Sequence, residues 1–69
     1  MNTTPTPKQA ETLEHIRNFI SDKGYSPTVS ELAAIAGIRG NAVQDRLDAL
    51  ERKGLVTRTP GAMRTIRAA

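Results

Sequence analysis

One punctuation mark recurs three times in this chain of 69 residues. "TPKQ" at 6–9, "TVSE" at 28–31 and "NAVQ" at 41–44 each set a small polar side chain three residues before a Glu or Gln. In such a capping box the first side chain accepts from an unsatisfied helix amide. The later one reaches back to the N–H of the cap residue. Asn41 with Gln44 is the weakest of the three versions. Pro7 suits the first position of a helix, where its missing N–H is not needed. Each segment then runs to a glycine, Gly24, Gly37 or Gly54. Glycine ends a helix in the left-handed conformation at no steric cost. Starts and stops in register predict three helices, at about 7–23, 29–36 and 41–53.

The apolar spacing agrees. The first helix carries Leu13, Ile16 and Ile20 on one face, widened by Ala10 and Phe19. The second carries Leu32, Ala33, Ile35 and Ala36, and the third Val43, Leu47 and Leu50 at i, i+4 and i+7. Tyr25 and Pro27 pin the link between the first two helices, and Pro27 disfavours helix at Ser26. After Gly54 the pattern changes. "LVTRT" at 55–59 is β-branched, "PGA" at 60–62 is a turn, and "MRTIRA" at 63–68 is a second strand with Ile66 and Arg64 on one side. A lone hairpin is marginal in water, so it must pack on the helices. The expected fold is mostly α (α+β): three helices with a C-terminal two-stranded β-hairpin. Residues 1–5 are expected to form a flexible tail, and 6–69 one domain.

A domain of this size sits near the lower limit of what folds without staples. With no cysteine there is no disulfide framework and no Cys-based zinc site. A single histidine, His15, cannot build a metal site; beside Glu14 and Arg17 it reads as a surface or boundary residue. Neither metal nor cofactor is expected. Phe19 and Tyr25 are the aromatic complement, so the core must be aliphatic. No apolar run approaches the roughly 20 residues of a membrane span. "MNTTPTP" lacks the basic start and apolar stretch of a secretory signal. The cytoplasm of a bacterial cell is the expected location, with no membrane partner. Ser21, Ser26 and Ser30 have no base at recognisable spacing and there is no glycine-rich phosphate loop. Neither an enzyme nor a small-molecule substrate is expected.

Charge is distributed unevenly. Residues 1–38 hold three basic and four acidic residues, and residues 39–69 hold seven basic and three acidic. The basic C-terminal half favours a polyanion. A short second helix, a glycine turn and a third helix have the sequence shape of a helix-turn-helix, and the hairpin makes it a winged one. A helix fits the major groove and presents base-reading side chains from its N-terminal end. On a helical wheel Asn41, Asp45, Asp48 and Arg52 lie opposite the apolar stripe, flanked by Ala42 and Gln44. Asn and Gln can bond adenine bidentately, and an aspartate can accept from the cytosine amino group. A polar helix face is more often plain solvent surface; the tight turn before this one favours reading. Arg52 and Lys53 suit a helix C-terminus through the dipole and could equally clamp phosphate. Arg58, Arg64 and Arg67 serve solubility or follow a DNA backbone. Asp48 has no evident benefit on a DNA-facing surface.

Several of these pieces belong together. "TPKQ", "IRNFIS", "GYSPT" with Glu31, "NA" at 41–42, "L-x-A-L-x-R-K-G-L-V" at 47–56 and "GAMRTIR" resemble the N-terminal DNA-binding domain of the LexA repressor family across residues 6–67. The resemblance implies a winged helix-turn-helix that represses transcription by binding operators as a dimer. It implies base-edge roles for Asn41, Ala42, Gln44 and Asp45, where the family commonly holds acids at the last two. It also implies backbone contacts for Arg52 and Lys53. Thr28 with its helix N-terminus, Arg39, Arg58 and Arg64 complete the expected phosphate contacts. The turn before Asn41 is one residue shorter than in the enterobacterial repressors. The family's C-terminal domain, which dimerises it and carries a Ser/Lys self-cleavage site, has no counterpart in these residues. An excised domain and a stand-alone protein of bacterial or phage origin both fit.

The leading expectation is therefore a sequence-specific regulator of transcription whose partner is double-stranded DNA, bound as a homodimer or with a partner protein. The alternative is a protein-interaction module that binds a host regulator, with DNA secondary. Its motivation is the acidic set Asp45, Asp48 and Glu51 on one exposed helix.

Overall fold

The computed structural model describes residues 3–69. Met1 and Asn2, part of the expected tail, lie outside the described residues. Helices α1 (Pro7–Lys23), α2 (Val29–Ala36) and α3 (Gly40–Arg52) are followed by strands β1 (Val56–Thr57) and β2 (Arg67–Ala68). This is the mostly α fold with a small C-terminal hairpin.

Two capping boxes form in full. The Thr6 N–H donates to Gln9 Oε1 (3.0 Å) and the Gln9 N–H to Thr6 Oγ1 (3.3 Å). The Thr28 N–H donates to Glu31 Oε1 (2.8 Å) and the Glu31 N–H to Thr28 Oγ1 (3.1 Å). Gly24 and Gly37 close α1 and α2 in the left-handed conformation, at φ 80° and 68°. The third box does not form. Helix α3 starts one residue early, at Gly40, with Arg39 as its cap and no side-chain cap bond. The Arg39 carbonyl accepts from the Ala42 and Val43 N–H groups, which draws Asn41 into the first turn. Among the described residues, the side-chain amide oxygen of Asn41 accepts only from the neighbouring Ala42 N–H, at 3.1 Å.

The helices enclose an aliphatic core. Leu13 and Ile16 from α1, Leu32 from α2 and Val43, Leu47 and Leu50 from α3 are buried with Val56 and Ile66 of the hairpin segment. All three apolar residues of the α3 stripe are at most 1% exposed. The α2 stripe is narrower than its spacing suggests, because Ile35 is 50% exposed. A side-chain hydrogen bond from Arg46 Nη1 to Thr12 Oγ1 (3.4 Å) joins α3 to α1. Pro27 is fully buried in the link between α1 and α2.

The hairpin is shorter than expected. Only Val56–Ala68 and Thr57–Arg67 pair, antiparallel. Residues 58–66 leave the ladder because Pro60 has no N–H to give and Gly61 and Arg64 sit at φ 77° and 55°. The loop closes through Thr65 instead: its Oγ1 accepts from the Thr59 N–H at 2.9 Å. Ile66 and Arg64 do not share a strand face. Ile66 enters the core, and Arg64 turns toward α2.

Candidate nucleic-acid interface

Helices α2 and α3 are joined by three residues, 37–39, with Gly37 making the turn. Their packing leaves one side of α3 outside. Asn41, Gln44, Asp45, Asp48 and Arg52 are exposed there, and Ala42 is half-buried at the edge. The core-facing stripe and this surface are thus separated as the wheel predicts.

The wing adds something the sequence reading missed. Arg58 leaves β1 and lays its guanidinium along α3. Its Nε donates to Glu51 Oε1, its Nη2 to Asp48 Oδ1, and its Nη1 to Gln44 Oε1 at 2.7 Å. Residues 44, 48 and 51 are spaced i, i+4, i+7, so they form a single ridge within about 60° of arc. One planar fork of five donors can span two helical turns in this way; a lysine could not. The Arg58 side chain is only 19% exposed, against 53% for Asp48. Asp48 therefore has a role: it holds the wing to α3. The signal in the sequence was the polar ridge 44/48/51 beside the apolar ridge 43/47/50, facing a hairpin arginine.

A second arginine closes the wing onto α2. Arg64 Nη1 donates to Glu31 Oε1 (2.9 Å) and to the Ser26 carbonyl (3.1 Å). The guanidinium carbon lies 4.6 Å from the centre of the Tyr25 ring, which itself meets Phe19 edge-on at 5.6 Å. The Thr28 backbone N–H holds the Glu31 carboxyl below its ordinary value; desolvation, next in size, opposes it, and the Arg64 guanidinium and the Thr28 hydroxyl add to the lowering. A depressed folded-state pKa means this contact contributes above the ordinary carboxylate range. It is lost as pH falls through the lowered value. Acid should thus loosen the wing at α2 before the core melts. The Tyr25 ring resonances, followed by NMR through an acid titration, should shift in step with Glu31 protonation. In Glu31→Gln they should stay still; a Tyr25 shift that persists in that variant would dismiss the latch.

The remaining sequence-predicted residues divide by what they touch. Lys53 donates to Gln9 Oε1 (2.6 Å) and to the Thr4 carbonyl (3.0 Å), tying the end of α3 to the start of α1. Thr28 is occupied by its capping box. The side chains of Arg39 and Arg52, at the two ends of α3, make no hydrogen bond or ion pair among the described residues. Also among the described residues, no cluster of His, Cys, Asp and Glu is gathered to hold a metal ion. No helix is long and apolar enough to cross a membrane.

A capped three-helix core with a two-stranded wing, and a recognition-type helix exposed behind a three-residue turn, defines the winged helix-turn-helix class. Within that class the sequence profile of the LexA DNA binding domain matches residues 2–65. The chain belongs to the LexA DNA-binding domain family. It is 48% identical over 63 residues to the LexA repressors of Pseudomonas chlororaphis and Ectopseudomonas mendocina, and 46% identical to that of Pseudomonas aeruginosa. Each match covers 90% of this chain and 31% of the relative, so the chain spans about a third of the length of these curated proteins.

Proposed function

We propose that this domain binds double-stranded DNA sequence-specifically and represses transcription, with α3 in the major groove. What supports the reading is the family membership joined to one feature of the surface. The exposed side of α3 offers Asn41, Gln44 and Asp45, and unpaired Arg39 and Arg52 flank it. The helix between those arginines is about 20 Å long at 1.5 Å per residue. That length lets one guanidinium meet phosphate at each side of a groove about 12 Å wide. Asn41, Ala42, Gln44 and Asp45 read base edges in this arrangement. Lys53 and the α2 N-terminus at Thr28 add positive potential near the backbone while remaining bonded within the domain; Arg58 and Arg64, balanced by Asp48, Glu51 and Glu31, meet phosphate by exchanging those partners for it. One such module buries roughly 600–1,000 Å² on DNA, so useful specificity calls for two modules, from a second copy or a partner protein. The cytoplasm of a bacterium is the matching location.

Of the three acids that motivate a protein-interaction module, Asp48 and Glu51 are taken up by Arg58, which leaves Asp45. That reading has no observation in its favour.

The test is a titration of labelled duplex DNA across a salt series. Affinity should fall steeply, and Arg52→Ala should reduce the slope of log K against log salt by about one while leaving sequence preference intact. An unaltered slope would remove Arg52 from the backbone contacts. Absence of binding to any duplex at low salt would reject the DNA reading itself.

A further inference from the structure

We infer that Arg58 is a positioning residue that biases the base preference of Gln44, by holding its amide through the oxygen so that both donor hydrogens stay free for the groove. The inference rests on the DNA-reading role proposed for α3. A glutamine amide has one acceptor end and one donor end, and free rotation would let it read adenine bidentately, accepting from N6 and donating to N7. Here one of the two lone pairs at the acceptor end is already engaged. Gln44 Oε1 takes the Arg58 Nη1 hydrogen at 2.7 Å. Arg58 cannot easily follow the amide elsewhere, because Asp48 and Glu51 hold its other two nitrogens. The Arg58 side chain is 19% exposed, while the carboxylates that hold it are 53% and 36% exposed. The two hydrogens on Gln44 Nε2 have no partner among the described residues.

A glutamine with both donors free and its acceptor shared reads the four bases differently from a free one. Guanine presents two adjacent acceptors, N7 and O6, on its major-groove edge. Adenine presents one acceptor beside a donor, and that donor must share with Arg58 the oxygen it would bond. Thymine offers O4 alone, and the major-groove polar group of cytosine is a donor. The order is guanine first and cytosine last, with adenine demoted from the place a free glutamine would give it. Asp45, the next residue, is an acceptor of opposite polarity and suits the cytosine amino group. The wing therefore takes part in sequence reading without touching a base.

The experiment is selection from a random duplex pool at fixed salt, with the full chain and its variants, each first checked for a cooperative thermal melt. The column whose preference disappears in Gln44→Ala is the Gln44 position. Wild type should favour guanine over adenine there by roughly tenfold. Arg58→Met frees the amide and should move that column toward adenine. Asp48→Asn combined with Glu51→Gln, which releases Arg58 from the other side, should move it the same way and serves if Arg58→Met does not fold. Adenine in the wild-type column, or a column unchanged by the release of Arg58, overturns the inference. So does an enriched pool in which no column responds to Gln44→Ala, and DNA reading by the domain then stands without it. A pool that never enriches takes down the DNA reading itself.

Discussion

Leu47→Ala should cost about 2–5 kcal/mol of folding free energy and leave the domain largely unfolded at 37 °C. Leu47 is 0% exposed, midway along α3, and belongs to the cluster that joins all three helices and the hairpin segment. Removing its branched end leaves a cavity lined by residues from separate elements, which cannot collapse together to fill it. A domain near the lower size limit has little stability in reserve, in the region of 5 kcal/mol by the usual range. A urea melt of the variant should show a lost or strongly lowered midpoint. Ile35→Ala, at a site 50% exposed, should stay within about 0.5 kcal/mol of wild type. Equal melting of the two variants would mean that α3 is not the centre of the core.

Asn41→Ala should weaken binding to the selected operator by about 1–3 kcal/mol, roughly five- to 150-fold, and leave random-sequence binding almost unchanged. Asn41 is exposed in the first turn of α3, where a reading helix meets base edges. Its one bond is the short loop to the Ala42 N–H, which a base edge can replace. The same variant carries a second readout. A true N-cap would cost about 1 kcal/mol of stability on truncation. Asn41 lies inside the helix and not at its cap, so the thermal midpoint should hardly move. A large stability loss with intact operator preference would reverse both assignments.

The start of α3 also marks how far the sequence can be read. Thr6–Gln9 and Thr28–Glu31 are local devices, complete within four residues, and they form as written. Asn41–Gln44 has the same spacing and fails, because the path through Ile38 and Arg39 begins the helix at Gly40 and shifts the phase by one. The hairpin turn was legible, but the strands were not. Pro60, Gly61 and the left-handed Arg64 take nine residues, 58–66, out of the ladder, and β-branched composition does not foresee that. For the site, helical periodicity sorts residues correctly into buried and exposed ridges. It cannot foresee that Arg58 and Arg64, distant in sequence from their partners, spend their charge on Asp48, Glu51 and Glu31. Such pairings depend on how the wing folds back, which is a tertiary matter.

With two paired positions in its ladder, the wing owes its shape to two guanidinium clasps, one on each helix of the motif. A loop fastened this way reaches its target already ordered. The entropy that a floppy arm would surrender on docking has been given up during folding, so more of the contact energy is left to appear as affinity. The clasps are ionic and partly exposed, so added salt slackens them at the same time as it screens the phosphates. Ionic strength then acts on the domain twice, through its attraction to a polyanion and through the rigidity with which it presents itself.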